Sequence, residues 1–161
     1  MKAASVRELK EELAKYPPKQ LVELCLRLAK FKKENKELLT YLLYEASDEA
    51  AYIQSVKQEI DTQFDNINRR SFYFIKKSIR KILREIKKYV RYSKKKETEV
   101  ELLLYFCQKL RQMSPSMNRS KVLKGLYERQ IGLIRKSLAS LHEDLQYDYQ
   151  QELEELMQNS S

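Results

Sequence analysis

Residues 71–94 read SFYFIKKSIRKILREIKKYVRYSK, twenty-four positions without a glycine or a proline. The apolar members Phe72, Ile75, Ile79, Ile82, Ile86 and Tyr89 recur at alternating steps of three and four. That repeat marks one face of a helix, whereas a strand would alternate every two residues. On a helical wheel the seam fills an arc of roughly 120° at 100° per residue. The spacing therefore predicts a long helix from near Ser71. It should end between Tyr92 and Lys96, where the seam positions turn polar. One apolar side must be buried, so the helix needs helical neighbours.

The same periodicity extends on either side. Ser47, followed by Asp48 and Glu49, predicts the capped start of a helix whose face is Tyr52, Ile53, Val56, Ile60, Phe64 and Ile67. Thr98 to Met113 forms another, with Val100, Leu103, Leu104, Cys107 and Leu110 inward. No Gly or Pro divides it from residues 71–94, so two helices or one bent helix both fit. Ser114-Pro115-Ser116-Met117-Asn118 is the clearest loop. Ser120 to Leu141 follows, with Gly125, Gly132 and Ala139 every seven residues as a bare stripe for close helix approach. The last helix, His142 to Gln158, buries Leu145, Tyr149, Leu153 and Leu156.

Towards the N-terminus, Ser5 and Glu8 form a capping box for a helix to Tyr16, with Val6, Leu9 and Leu13 buried. Pro17-Pro18 ends it and starts the next, whose stripe is Leu21, Leu24, Cys25 and Leu28, widened by Val22 and Leu26. A polar connection at residues 32–36 leads to Leu38–Tyr44, apolar on most sides and expected to lie centrally. The expected fold is all-α. It is a single domain, 1–161, of seven or eight mostly antiparallel helices in an irregular bundle without a regular repeat, with 1–4 and 158–161 frayed.

Composition agrees with helices and little else. The chain has 161 residues with 2 Gly and 3 Pro, against an average of about 12% for the two together. A β-sandwich or a Gly-looped nucleotide fold needs far more positive-φ turns than that. Cys25 and Cys107 lie in apolar helical runs and read as reduced core thiols. The opening MKAASVRELKEEL turns charged before a signal-peptide core could form, and no run approaches a membrane span of about 18 apolar residues. A cytoplasmic location is the expectation.

The net charge of +9 is unevenly placed. Residues 69–96 carry 13 basic side chains and one acidic, Glu85, a net of +12. Residues 143–161 carry six acids and no base, a net of −6. Within 71–94, Lys76, Lys77, Arg80, Lys81, Arg84, Lys87, Lys88 and Arg91 occupy a continuous arc of roughly 140° beside the apolar seam. Like charges at i,i+4 repel by a few tenths of a kcal/mol each. An isolated fold gains nothing from them, so an anionic partner is expected opposite. Tyr73 lies inside the basic arc. Arg69, Arg70, Lys94 and Lys95 flank it, and basic residues interleaved with aromatic ones suit phosphates and bases. Glu143, Asp144, Asp148, Glu152 and Glu155 make the opposite, acidic face. It could dock on the basic helix of the same chain, or of a second copy in a symmetric dimer.

Reactive chemistry finds few candidates. The one His, His142, sits at a helix junction where capping is the ordinary role. There is no GxxxxGK[ST], GxGxxG, HExxH or GxSxG. No Glu stands three residues before His142, as a di-iron bundle would require. No enzyme activity, metal, cofactor or small-molecule substrate is expected. VRELKEELAKYPPKQLVELCLRL, within Ser5–Leu28, resembles the helix–loop–helix of SAP-type DNA-binding modules in its leucine spacing and Lys10. It departs from them in lacking the loop glycine and in its acidic first helix, and it assigns no family. The expected function is a non-enzymatic binding module whose basic helix takes an anionic partner, nucleic acid before acidic protein. The alternative is a protein–protein scaffold or homodimer pairing basic with acidic helices. A membrane-surface role fits poorly, because the seam would have to be exposed.

Overall fold

Helical periodicity becomes helix throughout. The computed structural model describes residues 1–159, and among them the regular structure is all helical. In chain order the α-helices are α1 (Val6–Leu13), α2 (Pro18–Phe31), α3 (Lys33–Thr40), α4 (Glu49–Asp65), α5 (Phe72–Ser93), α6 (Lys96–Gln112), α7 (Lys121–Leu138) and α8 (Glu143–Gln158). A π-helical turn, Tyr41–Glu45, continues α3, and a 3-10 turn, Met117–Arg119, precedes α7. Residues 1–4 precede the first helix, and of the C-terminal residues expected to fray, 160 and 161 lie outside the described residues. The chain divides into two compact units at Tyr44/Glu45.

In the first unit, the expected capping box forms. Ser5 Oγ accepts from the Glu8 amide at 3.3 Å, and Glu8 accepts from the Ser5 amide at 2.7 Å, which holds the Glu8 carboxyl below its usual pKa. Extended backbone at Lys32 alone separates α2 from α3, rather than the whole 32–36 stretch, and Asn35 Nδ2 bonds the Leu28 carbonyl across that corner at 2.8 Å. The expected apolar faces do not become a core. Val6, Leu9, Leu13, Leu24, Cys25 and Leu28 are all exposed, and only Ala29 and Tyr41 of this unit are buried. Leu42, Leu43 and Tyr44, expected to be central, are exposed as well. Three short helices in about 40 residues have too high a surface-to-volume ratio to enclose their own apolar stripes.

The second unit has a true core, and α6 is its centre. Val100, Leu102, Leu103, Leu104, Phe106, Cys107 and Leu110 are essentially inaccessible, so α6 is buried on most sides, with α4, α5, α7 and α8 packed around it. The faces predicted for α4 and α8 are buried as expected, apart from half-buried Leu145. In α5, Ile75, Ile79, Ile82 and Ile86 are buried, joined by Leu83 and Tyr92. Asp48, not Ser47, caps α4, accepting from the Ala51 amide at 3.1 Å.

Helices α5 and α6 are separate. Lys94 adopts a left-handed conformation (φ 61°) that ends α5 without a glycine. Glu49 of α4 ties this corner, accepting hydrogen bonds from Ser93 and from Thr98 (2.7 Å) and pairing with Lys95 at 3.6 Å. The Gly125–Gly132–Ala139 stripe does not receive a helix. Gly132 and Ala139 are exposed, and a Cβ on Gly132 would meet nothing within 4 Å.

Candidate functional site

Burying the isoleucine seam of α5 rotates its basic arc outward, and α7 supplies the opposite wall. Between them runs an open groove of about 880 Å³. Lys76, Lys77, Arg80, Arg84 and Lys87 of α5 line it with Arg129 of α7, and no carboxylate does. Leu83 and Leu126, both buried, contribute apolar lining, so the cations stand beside a low-dielectric surface that screens them less than open water would. From Lys76 to Lys87 the α5 wall rises about 16 Å. Among the described residues, none of these six cations makes a hydrogen bond or an ion pair.

Two further side chains give the groove more than charge. Tyr73 lines it and is 65% exposed, its ring held edge-to-face with Phe74 at 5.2 Å between centroids. Gln130 lines it and is 2% exposed. Its Nε2 donates to the Leu126 carbonyl at 3.2 Å, while its buried Oε1 accepts nothing. A buried acceptor left without a donor costs about 1–3 kcal/mol.

The other cations of the basic segment have different settings. Arg69 is engaged by carbonyls, donating to Ser114 at 2.9 Å and Phe64 at 3.2 Å, which clamps the α4–α5 loop to the loop before α7. Lys95 is paired with Glu49, and Lys94 forms the helix-ending turn. Lys81 lies on the opposite flank of α5, in a depression shared with Glu59 and Glu85. Lys88 sits over the Tyr89 ring at 5.3 Å. Arg70 and Arg91 are exposed. Sequence periodicity placed five groove cations on one helix. Arg129, Leu126 and Gln130 come from α7, some fifty residues on, and no local signal links them to α5.

Helix α8 packs on α6 and α7. Among the described residues its carboxylates pair with none of Lys77, Lys81 and Arg84, so the basic arc is not neutralised there from within the chain. Instead α8 docks through Tyr149, whose hydroxyl donates to Glu97 at 3.1 Å and Glu101 at 3.3 Å. Burial, then Glu101 and Glu97, push that phenol far above its usual pKa. Glu101 also pairs with Lys57 at 2.9 Å, linking α4 to α6. Glu152, at the edge of this cluster, is raised above the usual carboxylate range by partial burial first and then by Glu101. Nearby, burial and Asp61 push Tyr105 up to about 12. Partial burial works to raise Asp61, but hydrogen bonds from Tyr105 (2.6 Å) and Lys109 (3.1 Å) outweigh it and hold the carboxyl low.

No protein-family model, curated protein or solved structure matches the chain. The groups that carry reactive chemistry elsewhere have ordinary settings here. His142 caps the start of α8, accepting from the Asp144 amide at 3.3 Å, rather than the end of α7. Burial pushes the Cys107 thiol up to about 12, which leaves it protonated and inert. Among the described residues no group of three or more His, Cys, Asp or Glu is placed to hold a metal. Among the described residues no helix is long and apolar enough to cross a membrane.

Proposed function

We propose that this protein is a non-enzymatic, cytoplasmic binding module that takes nucleic acid in the groove between α5 and α7. The observation that carries the reading is that six cations from two helices line one groove with no carboxylate among them and no partner within the described chain. Such a site binds an anion by displacing its counterions. Its titratable groups are lysines, arginines and a tyrosine, which hold anions but bring no carboxylate, histidine or thiol for acid–base or nucleophilic steps. The test is fluorescence anisotropy of the full chain with a labelled 12-nucleotide strand. Affinity should fall by about two to three orders of magnitude between 50 and 200 mM salt, as expected for about six phosphate contacts. No binding at 50 mM, or a flat salt response, overturns it.

A second reading rests on α8. Glu143, Asp148 and Glu155 are exposed and unpaired among the described residues, on the same chain as an open basic groove. Two copies could join reciprocally, acidic helix to basic helix. Sedimentation equilibrium at low salt decides it, a monomer ruling it out.

A further inference from the structure

We infer that the groove between α5 and α7 recognises single-stranded nucleic acid through its bases as well as its phosphates, with Tyr73 as the stacking platform. This rests on the nucleic-acid reading and narrows it to one form of the polymer.

Two chemistries meet in the groove, and an unpaired nucleotide is the anion that satisfies both. The cations of α5 and Arg129 match phosphates. Tyr73 projects a largely exposed ring into the same groove, and its edge-to-face contact with Phe74 fixes the ring while leaving a face for stacking. An acidic peptide would meet the cations with carboxylates, but only an aromatic residue within it would meet Tyr73, whereas every unpaired nucleotide brings a flat face. In a duplex the base faces are stacked on one another, so Tyr73 could not be used. A duplex is also read by a projecting helix entering a groove about 12 Å wide. Here the cations converge on a concavity between two helices, floored by Leu83 and Leu126.

The test compares four probes on the full chain by anisotropy at 50 mM salt: dT12, rU12, a 12-base-pair duplex and an abasic 12-mer with the same phosphates. The expected result is that dT12 or rU12, whichever sugar the groove prefers, binds at least tenfold tighter than both the duplex and the abasic strand. Tyr73→Ala should weaken single-strand binding by roughly 5- to 100-fold, the range for losing one stacked base. It should leave thermal stability unchanged, because the side chain is largely exposed. Tyr73→Phe should restore the affinity. Equal or tighter duplex binding, or a Tyr73→Ala variant that keeps its single-strand affinity, overturns the inference while leaving nucleic-acid binding in place. No binding of any probe overturns both.

Discussion

Replacing Arg80 and Arg84 together with glutamine should move stability and binding in opposite directions. Arg80 has Lys76, Lys77 and Arg84 at three or four residues' distance along α5, and Arg84 adds Lys81, Lys87 and Lys88. Each like-charged neighbour costs roughly 0.2–0.5 kcal/mol in an isolated helix. Solvent exposure and salt reduce the six pairs to a combined relief of about 1 kcal/mol. Glutamine keeps part of the aliphatic stem and the helix propensity, so little is lost in return. Melting followed by circular dichroism at 50 mM salt should show a rise of roughly 2–5 °C. The same variant removes two of six groove cations. The slope of log affinity against log salt should then shrink from about −4 to about −3 for a single strand, with binding at 50 mM at least tenfold weaker. If affinity and slope are unchanged while the melting point rises, the cations repel one another without binding anything, and the reasoning fails. A fall in melting point would show that the arginines are structural.

Three further outcomes test the fold and its electrostatics. Phe106→Ala, at the fully buried centre of α6, should cost about 3–5 kcal/mol in a urea titration. A cost below 1 kcal/mol would mean that α6 is not central. Lys94→Gly should stabilise by about 1 kcal/mol, because the left-handed turn that ends α5 penalises any residue with a Cβ; a destabilisation would show that this turn is not formed. Glu152→Gln should raise the melting point at pH 7 but not at pH 4. The folded state raises the pKa of Glu152, so its contribution is fully present below the unfolded value and is lost as pH rises through the folded one. An equal shift at both pH values would point to packing rather than charge.

Much of this was readable in the chain because helices announce their faces locally. The isoleucine seam of residues 72–89 and the Tyr149–Leu153–Leu156 stripe each repeat at the helical period, and both lie against a core. The N-terminal leucines repeat just as regularly and are exposed. Periodicity reports which side of a helix is apolar, not whether enough chain surrounds it to bury that side. The cationic wall was legible for the same local reason. Arg129 and Gln130 were not, because they join Tyr73–Lys87 only through the way α5 and α7 both pack on α6. Arg69 looked identical to its neighbours in sequence, yet in the fold its guanidinium is taken up by loop carbonyls. Ser47 lost the capping role to Asp48 by one residue, a distinction that backbone geometry makes and composition does not. The bare face of Gly125 and Gly132 suggested a helix contact, but a stripe of small residues does not say which way it faces.

The most direct test of the groove is to map amide chemical-shift changes across the full chain as unlabelled dT12 is titrated in at 50 mM salt. Perturbation concentrated on Tyr73–Lys87 and Leu126–Gln130, with α8 and residues 1–44 largely silent, is the predicted result. Shifts centred on Glu59–Asn66 beside the Lys81 flank, on α8 or on the N-terminal helices, with the groove amides unmoved, would contradict it.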